Sequence, residues 1–140
     1  METKNRVLIV GSGGREHAFA WKISQSEKVE KIFVAPGNAG TESEIKTTNV
    51  AISPSDIDSL IKFSKNENIN LVVVGPEDPL VNGIFDFFKN DPKLKNITVI
   101  GPSKQGAKLE GSKEFAKEFM GRYQIPTAAY EAFEKETISK

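Results

Sequence analysis

The chain has 140 residues, with 19 Lys plus Arg balanced by 19 Asp plus Glu and no cysteine; this length suits one domain, or one domain with an appendage, around a continuous core. Zero net charge removes the basis for non-specific nucleic-acid binding, and the absence of thiols excludes a disulfide framework and fits a reducing compartment. Residues 1–5 carry no apolar signal core and no stretch is apolar for long enough to span a membrane, so the expectation is a cytoplasmic protein without membrane or nucleic-acid partners.

Val7, Leu8, Ile9 and Val10 place a buried parallel strand over residues 6–10. Gly11-Ser12-Gly13-Gly14 then lets the backbone turn sharply and approach a ligand. A helix over 15–24 follows, so free amides and a positive dipole end gather at a ready phosphate site. The second strand, 31–35, runs into Pro36-Gly37-Asn38-Ala39-Gly40, and a short third strand lies near 46–50. The next helix is expected from Ser53, where Ser53-x-x-Asp56 resembles a capping box with Pro54 at the first helical position; Ile57, Leu60, Ile61 and Ser64 share its inner face. A strand at 71–74 leads through Gly75-Pro76-Glu77-Asp78-Pro79-Leu80 into a helix over 80–90, with Ile84, Phe85, Phe87 and Phe88 inward and Asp91-Pro92 closing it. The fifth strand is 98–100.

The last third reads as a short helix over 104–109 and another over 112–123, capped by Ser112 and carrying Phe115, Phe119 and Met120 on its apolar side. Ile125-Pro126-Thr127 breaks that helix, a strand over 128–133 is expected, and 134–140 form a polar tail. The pattern predicts an α/β fold: a doubly wound, mostly parallel Rossmann-like sheet with a short C-terminal helical extension. With no terminal element to close a core, the expectation is a fragment of something longer.

Three glycine-bearing turns follow three of the parallel strands, at the carboxyl edge where open α/β sheets bind ligands. Gly11, Ser12, Gly13 and Gly14 with Arg15 suit a phosphate, charge-assisted bonds being the stronger kind. Glu16, Glu77 and the Asn38 amide suit ribose hydroxyls, with Gly37 and Gly75 shaping their turns. A helix dipole of about 0.5–2 kcal/mol and charged hydrogen bonds of about 1.5–3 kcal/mol each, less immobilisation, give millimolar to high-micromolar affinity for a phosphosugar. The dinucleotide alternative, an oxidoreductase domain, needs a third glycine where Glu16 stands and an acidic residue at the tip of the second strand, where none occurs. Residues 106–113 imitate a P-loop but end Ser112-Lys113 and do not directly follow a strand. The one histidine, His17, reads as a helix residue touching its own loop, and no transition-metal set is apparent.

Gly-Ser-Gly-Gly-Arg-Glu-His at 11–17, Pro-Gly-Asn-Ala-Gly-Thr at 36–41, Val-Gly-Pro-Glu-Asp-Pro-Leu-Val at 74–81 and Leu-Glu-Gly-Ser-Lys at 109–113, in that order and spacing, resemble the N-terminal region of the phosphoribosylamine–glycine ligases of the ATP-grasp superfamily. The resemblance extends over essentially the whole chain. It implies a carbon–nitrogen ligase of de novo purine biosynthesis, in which glycine is activated by ATP as an acyl phosphate and then attacked by the amine of 5-phosphoribosylamine. It also implies that residues 1–103 hold the phosphoribosyl substrate, and that 104–140 are a helical linker and the start of the ATP-grasp region. Glu77 would meet the ribose hydroxyls, the 11–16 loop the phosphate, and Lys113 the ATP phosphates. ATP and Mg²⁺ (or Mn²⁺) would serve the full-length enzyme, with no catalytic or metal-binding residue, no bound cofactor and no turnover expected in this segment, whose partner is the rest of its own polypeptide. A stand-alone phosphosugar-binding module remains the other alternative.

Overall fold

The computed structural model describes residues 4–133. Its elements run β1 (Asn5–Gly11), α1 (Gly14–Ser24), β2 (Val29–Pro36), α2 (Ala39–Glu42), β3 (Thr47–Asn49), α3 (Ile57–Asn66), β4 (Leu71–Val74), α4 (Glu77–Val81), α5 (Ile84–Asn90), β5 (Thr98–Ile100), α6 (Lys104–Gly111) and α7 (Lys113–Arg122). The five strands form one sheet in the order β3-β2-β1-β4-β5, and every pairing is parallel. The chain therefore winds outward from β1 through β2 to β3, then returns to the other side of β1 for β4 and β5. The reversal falls between β1 and β4, where Val7 pairs with Leu71 and Val10 with Val74.

Two cores explain why the strands read as unbroken apolar runs. Leu8 and Val10 face one core with Phe33, Leu60, Leu80, Ile84, Phe88 and Ala107. Val7 and Ile9 face the other with Ala20, Ile32 and Val34. Side chains alternate across a strand, so a strand covered on both faces needs apolar residues at every position. Each fully buried aliphatic or phenyl side chain contributes roughly 1.5–3 kcal/mol of transfer free energy. α6 returns to the larger core through Ala107, while no side chain of α7 is buried. Among the described residues, no helix is long and apolar enough to cross a membrane.

The structure corrects the sequence reading in four places. Helix α3 begins at Ile57, not Ser53: Asp56 is its cap, accepting the Ser59 N–H at 3.0 Å, and Pro54 lies in the preceding loop. The helix expected over 80–90 is two, α4 and α5, divided at Gly83, whose φ of +93° is left-handed and favours glycine. Phe87 faces solvent at 51% exposure, because Ile84 and Phe88, one turn apart, take the inward face. Residues 128–133 form no strand, there being no sheet edge with which they pair. The Ser112 cap of α7 is as expected, with its hydroxyl accepting from Phe115 N–H. The expected polar tail, 134–140, lies outside the described residues.

Candidate functional site

A cleft of about 270 Å³ opens at the carboxyl ends of β1 and β4, lined by Gly11, Ser12, Gly13, Glu16, Pro54, Ser55, Pro76, Asp78 and Pro79. It thus lies at the topological switch point, where neighbouring connections leave the sheet in opposite directions and part to leave a crevice. Of the lining residues on the first turn, Ser12 and Gly13 are exposed and Gly11 is buried; Gly14 and Arg15, next along the chain, are exposed beside the cleft rather than among its lining. Gly14 and Arg15 occupy the first turn of α1, where backbone amides have no acceptor one turn earlier in the helix. A Cβ built on Gly14 would meet nothing within 4 Å.

Glu16, although among the cleft's lining residues, is turned inward onto the glycine turn. Only 5% exposed, its Oε2 accepts the Gly13 N–H at 2.6 Å, and its carboxylate fills space left by missing side chains. A Cβ on Gly11 would come within 2.6 Å of Glu16 Cδ, and one on Gly75 would overlap Glu16 Oε1. The φ of Gly11, +130°, adds a conformational demand at the same position. The expected contact between Glu16 and a ribose hydroxyl therefore gives way to a contact with the turn itself. From the same helix, the Arg15 guanidinium donates to the Gly75 carbonyl, joining the first glycine turn to the end of β4.

Asn38 is likewise occupied by the protein. Its Nδ2 donates to the Ser12 carbonyl at 2.8 Å and the Gly13 carbonyl at 3.4 Å, and its Oδ1 accepts from the Gly40 and Thr41 N–H groups. Behind it, fully buried Thr41 accepts the Asn38 N–H at 2.8 Å and lies 2.6 Å from Asn49 Oδ1, while Asn49 Nδ2 donates to the Asn38 carbonyl. Gly37, at φ +73°, makes room for the Asn49 side chain. Pro36 to Thr41 is thus a brace beneath the first glycine turn. His17 Nε2 pairs with Glu44 Oε1 at 2.9 Å, tying α1 to the turn that follows α2.

Glu77 is exposed at the start of α4 but does not line the cleft, whereas its neighbour Asp78 does. Lys113 opens α7, exposed and away from the cleft lining. Sequence reasoning missed Pro54, Ser55 and Asp78. The loop after β3 obeys the same carboxyl-end rule as the others, but reading Ser53-Pro54-Ser55 as a helix start hid its place at the cleft.

Residues 5–110 match the family model described as phosphoribosylglycinamide synthetase, N domain. A phosphoribosylamine–glycine ligase of Pasteurella multocida is 52% identical over 127 residues, covering 91% of this chain and 29% of that protein. Its namesake in Escherichia coli K12 is 52% identical over 128 residues, with the same two shares. The chain spans about 29% of the length of these relatives. The crystal structure of a phosphoribosylamine–glycine ligase from Thermotoga maritima gives a TM-score of 0.61 at 34% identity, covering 90% of this chain and 27% of that one. A urea carboxylase of Kluyveromyces lactis, at TM-score 0.59 and 16% identity over 91% of this chain and 12% of its own, shares the fold alone.

Proposed function

Because the chain belongs to the phosphoribosylglycinamide synthetase N-domain family, we propose that its cleft holds the phosphoribosyl substrate of a ligase joining glycine to 5-phosphoribosylamine. In this reading the whole enzyme consumes ATP and forms glycinamide ribonucleotide in de novo purine biosynthesis. The observation that carries it is the cleft itself: exposed glycine-turn backbone at the β1–β4 switch point with the first turn of α1 beside it, in a chain 52% identical to ligases of that name.

The residues divide the work by what they have free. The Gly14 and Arg15 amides, with the positive end of α1, take the phosphoryl oxygens. The Arg15 side chain adds charge while it ties the turn to Gly75. Ser12 and Ser55 offer hydroxyls across the cleft, and Asp78 at its wall, with Glu77 beside it, accepts from ribose hydroxyls. Gly11, Gly13, Glu16, Gly37, Asn38 and Gly75 act on the substrate through the shape of the turn. The prolines at 54, 76 and 79 stiffen the cleft walls.

Residues 1–103 form the substrate-holding part and 104–140 the helical linker into the ATP-grasp region, with Lys113 facing the ATP phosphates in the whole enzyme. ATP with Mg²⁺ or Mn²⁺ supplies the phosphoryl group that activates glycine. Among the described residues no three His, Cys, Asp or Glu side chains cluster as cation donors, so the donor set here does not fit a metal and no step is routed through one.

Titration of the chain with ribose 5-phosphate, followed by amide chemical shifts, tests the assignment. Shifts at Gly13, Gly14 and Arg15 with the sugar and none with NADH are expected; the reverse pattern would favour the dinucleotide alternative. Arg15→Glu is expected to weaken sugar binding about tenfold, or ~1.4 kcal/mol, with a modest loss of thermal stability because the exposed side chain also gives up its bond to the Gly75 carbonyl. Retained affinity in that variant would move the phosphate away from the first turn.

A further inference from the structure

We propose that Glu16 is a specificity-determining residue, restricting the glycine turn to a single phosphoryl group and rejecting pyrophosphate-bridged nucleotides. The inference rests on the phosphosugar reading of the cleft and deepens it.

In a dinucleotide site, glycine-turn amides and the following helix N-terminus share the two phosphates of one pyrophosphate. Here the turn and the helix are present, but a carboxylate occupies the position of the third glycine. It takes the Gly13 N–H at 2.6 Å, so that amide is withdrawn from any ligand. The charge is held in place by packing, because Gly11 and Gly75 approach so closely that a side chain on either would collide with it. It is also 95% shielded from solvent (5% exposed) while forming part of the cleft lining, so water and salt blunt it less than an exposed carboxylate.

These facts divide the site in two. Over Gly14 and Arg15 a phosphoryl group meets outward amides and the positive end of α1. Over Gly11 to Gly13 a second phosphoryl meets a spent amide with a fixed negative charge behind it. A monophosphate needs only the first half, whereas a pyrophosphate must enter both.

Adenosine diphosphate ribose carries the same ribose 5-phosphate end as the simple sugar, with one further phosphoryl group and adenosine, and is the discriminating probe. By calorimetry or amide shifts on the 140-residue chain, ribose 5-phosphate is expected to bind at least tenfold more tightly than adenosine diphosphate ribose. Glu16→Gln keeps an acceptor for Gly13 N–H and removes the charge, and is expected to close the gap to within threefold. A purely structural role for Glu16 would move both affinities together. A wild-type ratio below tenfold, or a ratio unchanged in the glutamine variant, would overturn the inference while leaving the phosphosugar reading in place. Failure of ribose 5-phosphate to bind at all would overturn both. Should Glu16→Gln unfold, inorganic phosphate and pyrophosphate titrated against the wild-type chain decide: pyrophosphate bound at least tenfold more weakly supports the inference, and equal or tighter pyrophosphate binding refutes it.

Discussion

Gly75 illustrates how a residue without a side chain can be constrained as tightly as a core leucine. Its φ is unexceptional; the constraint is that Glu16, 59 positions earlier, fills the space where a Cβ would stand. Gly75→Ala is therefore expected to destabilise the fold by about 1–3 kcal/mol, the usual cost of overpacking, read from the midpoint of a urea melt at unchanged slope. A shift near zero would mean that Glu16 can leave its berth without penalty. This is also where sequence reading fell short. That glycines 11, 13 and 75 serve one carboxylate depends on β1 lying beside β4, and nothing local in the sequence encodes that pairing. The Asn38 bonds are hidden for the same reason: its partners Ser12 and Gly13 belong to a different turn.

Strands and helices were more legible than their ends. β1, β2 and β4 announce themselves because burial on both faces forces apolar runs, and the short, less buried β3 and β5 through their β-branched residues, whereas helix starts depend on which of several polar residues wins the cap. Ser53 and Asp56 both offered a cap to α3, and Asp56 won by bonding Ser59 N–H. Hydrogen bonds from the Ser59 backbone and then its side chain hold the Asp56 carboxyl below its ordinary value of 3.8. A group lowered in the folded state releases its proton more readily there than in the unfolded chain. Its stabilising effect is thus complete above about pH 3.8 and drains away as pH falls through the lower folded value. Asp91, lowered first by the Lys65 side chain and then by the Lys93 N–H, acts in the same window. Asp56→Asn, which still accepts a hydrogen bond, is expected to show a flatter loss of helicity in acid titration followed by circular dichroism. A profile that matches wild type would remove Asp56 from the acid transition. The break between α4 and α5 had a visible signal in Asn82-Gly83, a turn dipeptide inside an otherwise helical pattern.

Across the whole molecule, the strand order was implicit in the alternation of strands and helices, and the crevice follows from that order. Residues 123–133 resisted reading because their large apolar side chains do not pack into a core. Tyr123, Ile125, Tyr130 and Phe133 are all exposed, and α7 buries none of its side chains, so periodicity there had no packing to report. In the proposed division of labour, with the phosphosugar held here and ATP bound by the ATP-grasp region, the 140-residue chain is expected to bind substrate without turnover, checked by assaying glycine-dependent ADP release in the presence of 5-phosphoribosylamine. Measurable release would relocate the chemistry into this segment.

The Asn38 brace has a kinetic corollary. A trans peptide points its N–H opposite to its carbonyl, so the His17 N–H at 3.1 Å and, more weakly, Asn38 Nδ2 at 3.4 Å, both donating to the Gly13 oxygen, also stop the adjoining Gly14 amide from swivelling. That amide faces outward before any guest arrives. In the phosphosugar reading, capture then forfeits little chain freedom, and departure need not wait for a segment to unlatch.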